Sequence, residues 1–221
     1  MPIHLLWDYL HILVFALWLG TDVGALAALD MARNPNRNFE ARMALTKLGM
    51  SLNTFPRVCL ALTLPVGLQL TSALDLYPIS DELMAVSWAL AIYWLVTIVV
   101  MKRKEGTVLA TNLGRLRLVS HVTVGLILVV IGLNSLATGA PLEEPWYAVK
   151  LLLFGLVFWT EIAVALCLHP FRVPFMEIGQ HGTSPEREEA VNRAVNNTLA
   201  ASVILYVLIA VIAFVGKVKP F

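Results

Sequence analysis

Long apolar runs separated by short charged segments are the feature that most limits how this sequence can fold. Crossing the hydrocarbon core of a bilayer takes about 20 predominantly apolar residues. Six runs approach that length: Leu5–Leu26, Phe55–Leu74, Leu83–Met101, Leu118–Ala140, Trp146–Leu168 and Thr198–Val215. In lipid an open strand would leave backbone groups unpaired, so each run must be a helix. The expected fold is all-α: a polytopic membrane helical bundle with six transmembrane helices, forming a single integral-membrane domain over residues 1–221. Composition points the same way. Only 14% of the residues are charged and 58% are hydrophobic, where a soluble domain carries roughly a quarter charged residues. No basic region followed by a small-residue cleavage site opens the chain, so the first run reads as a retained helix. The net charge of +1 gives no reason to expect nucleic acid as a partner. Cys59 and Cys167 both sit in apolar runs without a Cys-x-x-Cys pair and read as small core residues.

The connecting segments set an expected orientation. The first carries Arg33, Arg37, Arg42 and Lys47; the third carries Lys102, Arg103, Lys104, Arg115 and Arg117; the fifth carries Arg172, Arg187 and Arg193. The second and fourth hold only Asp75, Asp81, Glu82, Glu143 and Glu144. Positively charged loops stay in the cytoplasm. Loops one, three and five are therefore expected inside and both termini outside, in a bacterial inner (cytoplasmic) membrane. Lys217 and Lys219 dissent from this orientation. Trp7, Tyr77, Trp88, Trp146 and Tyr147 then fall near the outer interface, as an aromatic belt would.

Two of the basic segments read as partly helical. Between Asn38 and Ser51, apolar residues at Phe39, Met43, Leu45, Leu48 and Met50 suggest a short interfacial helix. Ser184-Pro185-Glu186 looks like an N-cap followed by proline at the first helical position. The sixth span is therefore expected to start there and run unbroken through Asn196 and Asn197.

Ionisable residues inside spans are costly and mark functional candidates. His4, Asp8, His11, Trp18 and Asp22 recur at helical spacing along one face of the first span. Lys150 and Glu161 share a face of the fifth span. The first and fifth spans run in the same direction, which sets His11 and Lys150 at similar depth. The expected arrangement has two polar layers: an outer one with His11 and Lys150, and an inner cluster of Asp22, Arg57, His121 and Glu161. Asp22 and Arg57 are expected to form an ion pair, since an unpaired charge in the membrane costs more than a paired one. The plain alternative is that polar residues at helix ends snorkel or cap, and it applies best to His4, Asp8, Arg57 and His121.

The segment Leu10-His11-Ile12-Leu13-Val14-Phe15-Ala16-Leu17-Trp18-Leu19-Gly20 and the segment Trp146-Tyr147-Ala148-Val149-Lys150-Leu151 have a common resemblance. Together they look like the paired signature of the HemJ-type protoporphyrinogen oxidase and CopD-like membrane superfamily. There an L-H-x-x-x-x-x-x-W-x-G pattern on the first helix accompanies a later W-x-x-x-K-L. The stretch from Glu40 to Leu70, with Pro65 and Gly67, is similar as well. The resemblance implies His11 as metal ligand to haem b, Lys150 as catalytic residue, and Trp18 with His11 and Lys150 as cofactor contacts. The HemJ type has four helices. Here spans three and four are inserted, and His121 comes with the insertion.

The expected function is thus a b-haem-binding membrane oxidoreductase or electron-transfer protein, acting on a small-molecule substrate such as a porphyrinogen or quinol, or with a redox partner. Neutral imidazole is a good iron ligand, and a helix bundle can bury the macrocycle while a cation meets its propionates. Two alternatives stand beside it. One is a copper-handling membrane protein of CopD type, although the clustered Met, Cys and His that copper needs are lacking. The other is a homo-oligomer or non-catalytic subunit of a larger membrane complex, whose polar layers are structural.

Overall fold

The computed structural model describes residues 2–220 and, among them, contains helices and no strand. Six long helices match the six apolar runs: α1 (Ile3–Ala32), α3 (Thr54–Ala73), α4 (Asp81–Arg103), α5 (Val108–Thr138), α6 (Pro145–Leu168) and α8 (Pro185–Val218). Two shorter ones, α2 (Phe39–Leu52) and α7 (Arg172–His181), fill the basic segments. Of the long helices, α1, α4, α5, α6 and α8 are long and apolar enough to cross a membrane by themselves. The remaining one, α3, is 20 residues long and is diluted by Arg57, Pro65 and Gln69. The protein is an integral-membrane helical bundle. The chain divides into two compact units, one ending at Arg115 and the other beginning at Leu116.

In the first unit α1 packs on α2 and α3, and α3 packs on α4. Local chemistry sets the helix ends. The Asn38 side chain accepts from the Ala41 amide at 2.9 Å and starts α2, and the Ser80 hydroxyl accepts from the Leu83 amide at 3.2 Å and starts α4. Asp81 and Glu82 in the first turn of α4, with Lys102 and Arg103 in the last, suit its dipole. α2 buries Arg42, Thr46 and Gly49, which stand one above the other along a single stripe. At Gly49 the helix backbones of α1 and α2 come so close that a Cβ would lie 3.1 Å from the Ala25 carbonyl oxygen.

Arg42 is 1% exposed, and its Nε donates to the Ala32 carbonyl oxygen at 2.8 Å. Among the cations of the first connecting segment, it satisfies a terminal carbonyl of α1, where the helix dipole favours a cation. Arg42→Ala is expected to lower stability by about 3 kcal/mol, because it orphans a buried acceptor and opens a cavity. Thermal unfolding in detergent reads this directly, and an unchanged midpoint would refute the role.

In the second unit α6 packs on α8, and α7 packs back on α8. Ser184 caps α8 through the Arg187 amide, Pro185 occupies the first turn, and the helix passes Asn196 and Asn197 without interruption, as expected. α5 and α6 meet at glycines. A Cβ at Gly155 would stand 2.6 Å from the Gly125 carbonyl oxygen, and one at Gly132 would stand 2.8 Å from that of Ala148. Only residues without a Cβ allow backbones this near.

Two expectations about the connecting segments need correction. α5 begins at Val108 rather than Leu118, so Arg115 and Arg117 lie on a helix and the turn before it is only a few residues long. The Thr107 hydroxyl, accepting from the Ala110 amide at 3.3 Å, supplies the missed start. The fifth segment, read as loop before Ser184, contains a 3-10 turn at His169–Phe171 and then α7, held by buried Phe171, Phe175 and Ile178.

Candidate functional site

α1 presents its polar face inside the first unit. His11 is half-buried, and its ring lies against Gly67 of α3: a Cβ there would meet Cε1 at 3.6 Å and Nδ1 at 3.9 Å. Nδ1 is shielded from solvent. The ring thus faces Gly67 with its Cε1–Nδ1 edge, and a methyl group there would meet it in ordinary van der Waals contact. Two turns along, Trp18 is 4% exposed; its indole N–H is shielded and has no acceptor among the described residues. Asp22, a further turn on, is 5% exposed. His4 is half-buried and Asp8 exposed, both nearer the N-terminal end of the helix. α3, which packs on α1, carries Arg57 on an exposed position of its first turn.

The second unit holds the other candidates. Lys150 runs along α8 at Gly216, its Nζ 3.1 Å and its Cε 3.4 Å from where a Cβ would stand. Lys219, just beyond α8, sits over the Trp146 ring with its ammonium 4.6 Å from the centroid. The start of α6 and the end of α8 thus gather two cations and an aromatic at one end of this unit. The lysine that dissented from the loop-charge pattern has its partner here. Glu161 lies about three turns along α6 from Lys150, with Oε1 shielded.

His121 lies at 2.8 Å from the Arg117 carbonyl oxygen through Nδ1. A carbonyl only accepts, so Nδ1 carries the proton and the other ring nitrogen holds the lone pair. Phe158 meets the imidazole edge-on, with ring centroids 5.5 Å apart. Since Phe158 is one turn from Glu161 on α6, His121 and Glu161 come to nearly the same level of the second unit. Phe158 had no signal in the sequence beyond being one more apolar residue in a span.

His11, Trp18, Asp22 and Arg57 therefore belong to the first unit, and His121, Lys150 and Glu161 to the second. Among the described residues, no three His, Cys, Asp or Glu side chains are grouped to hold a metal ion. A haem iron already carries four ring nitrogens and asks the protein for one or two axial ligands. A single half-buried imidazole such as His11, inside an apolar helix bundle, is chemically suited to that requirement. Comparison with known protein families, with curated proteins and with solved structures finds no match to this chain.

Proposed function

We propose that this integral-membrane protein is a b-haem protein of the oxidoreductase or electron-transfer class, with His11 as an axial ligand. The observation that supports the reading is the place of His11, a half-buried imidazole on α1 with Nδ1 shielded from solvent and its ring against Gly67 of α3. When bound, the haem would supply one-electron redox chemistry. The chain's own residues would hold and tune it. His11 supplies a neutral nitrogen within an apolar helix bundle. The Trp18 indole N–H, two turns away on α1, is a buried donor suited to a cofactor oxygen. Lys150 takes the catalytic role on the strength of the Trp146–Lys150 signature, as an ammonium suited to an anionic substrate group. The substrate class is a porphyrinogen or a quinol, reached from the membrane, with electrons passing to a redox partner.

Spectroscopy tests the reading. The purified protein, oxidised and then reduced, is expected to show a b-type band; a featureless visible spectrum after haem supplementation would overturn it.

We further propose that loops one, three and five face the cytoplasm of a bacterial inner membrane and that both termini face outside, on the Lys and Arg asymmetry. Reporter fusions at Asn36, Gly106 and Gly182 are expected to report cytoplasm at all three. An external signal at any of them breaks this orientation.

A further inference from the structure

The α4–α5 turn gathers cations that no other part of the fold uses. Lys102 and Arg103 end α4, Lys104 follows, and Arg115 lies on α5. Gly114 of α5 packs on Met101 of α4, where a Cβ would stand 3.3 Å from the methionine methyl. That contact brings positions 102 and 115, each adjacent to one of the touching residues, to the same level at the end of the hairpin. All four side chains are exposed, and none forms an ion pair among the described residues. Elsewhere Arg33 pairs with Asp30, Arg187 with Glu177 and Arg193 with Glu189, while Arg37 and Lys47 are exposed cations outside this turn. One carboxylate, Glu105, lies in the turn, which leaves a local excess of positive charge. Beside these cations stand aliphatic side chains that a water-facing turn would not present: Val108 is 77% exposed and Leu109 52%.

Exposed cations interleaved with exposed aliphatic residues at the end of a membrane helix suit the headgroup layer, where the charges meet phosphates and the aliphatic groups meet acyl chains. We infer that the α4–α5 hairpin binds the phosphate headgroups of anionic phospholipid in the leaflet it enters. Lys102 and Arg115 at one level, with Arg103 and Lys104 next in the chain, form the candidate site. The inference is independent of the haem reading.

Native mass spectrometry of the full chain, released from detergent micelles doped with phosphatidylglycerol or phosphatidylcholine, tests it. The wild type is expected to retain phosphatidylglycerol over phosphatidylcholine by about tenfold, and the preference should fall as salt is raised. Combining Lys102→Gln, Arg103→Gln, Lys104→Gln and Arg115→Gln should reduce it to about twofold or less. Arg37→Gln with Lys47→Gln, which removes exposed cations elsewhere in the first unit, should leave it intact. Equal retention of both lipids by the wild type overturns the site. So does an equal loss in the control variant, which would make the effect one of total charge. Displacement of the lipid by inorganic phosphate, at an ionic strength where chloride leaves it bound, would also overturn it by assigning the cations to a soluble anion. If the fourfold variant does not fold, Lys104→Gln alone and the salt dependence of the wild type decide the matter.

Discussion

His11→Ala is expected to abolish the b-type band of the purified protein, or to leave only a small residue of it. The substitution removes the proposed iron ligand, and its ring meets α3 at Gly67 in ordinary van der Waals contact. The helical spectrum and the elution volume should therefore remain those of the wild type, which separates loss of haem from loss of structure. Lys150→Ala should behave differently. It removes the proposed catalytic ammonium rather than the proposed iron ligand, so haem should stay and the activity should fall. His121→Ala serves as the control. Its ring is fixed through Nδ1 to Arg117 and edge-on to Phe158, inside the second unit, so its removal should leave the spectrum largely unchanged. Full haem content in a folded His11→Ala protein would sink the assignment.

Gly155→Ala is expected to be the most destabilising single-methyl change in the second unit. The new Cβ would stand 2.6 Å from the Gly125 carbonyl oxygen, 2.8 Å from Val129 Cγ2 and 3.0 Å from the Val129 amide nitrogen. Two of those three atoms are backbone, so no rotamer change relieves the overlap and α5 must move away from α6. Overpacking of this kind costs roughly 1–3 kcal/mol. The upper end is expected here, because parting the helices also forfeits dispersion contacts along the seam. Gly20→Ala, where a Cβ meets nothing within 4 Å, should be neutral or slightly stabilising, since alanine favours helix by about 1 kcal/mol. Unfolding by denaturing detergent compares the two, and similar midpoints would show that the glycine seam does not hold the unit together.

Hydropathy and capping chemistry made much of the fold legible. The six runs appear as six long helices because nothing but helix satisfies the backbone in lipid. Asn38 and Ser184 mark the starts of α2 and α8 because their side chains can accept first-turn amide protons. What was missed lay where hydropathy carries no signal. Residues 108–117 include two arginines and an asparagine, so their helical character is hidden behind their charge. α7 is short and follows Pro170, and its clue, Phe171 and Phe175 one turn apart and stacked at 4.7 Å, is a pair rather than a pattern. Arg42 reads as a loop cation in one dimension, and only the packing of α2 on α1 reveals the carbonyl it serves. The site was legible to the same degree. Spacing along α1 nominates His11, Trp18 and Asp22, but Gly67, against which the imidazole lies, belongs to a different helix.

The continuity of α8 has a mechanical consequence. Between Glu186 and Val215 the helix contains neither glycine nor proline, and its 34 residues make a rod of about 51 Å. Such a rod has no hinge at which to absorb bending. Near its capped start α7 packs against it, and at the far end Gly216 forms the surface against which Lys150 lies. The length and continuity of α8 thus place its capped start and the surface beneath the Lys150 ammonium on one unbroken element.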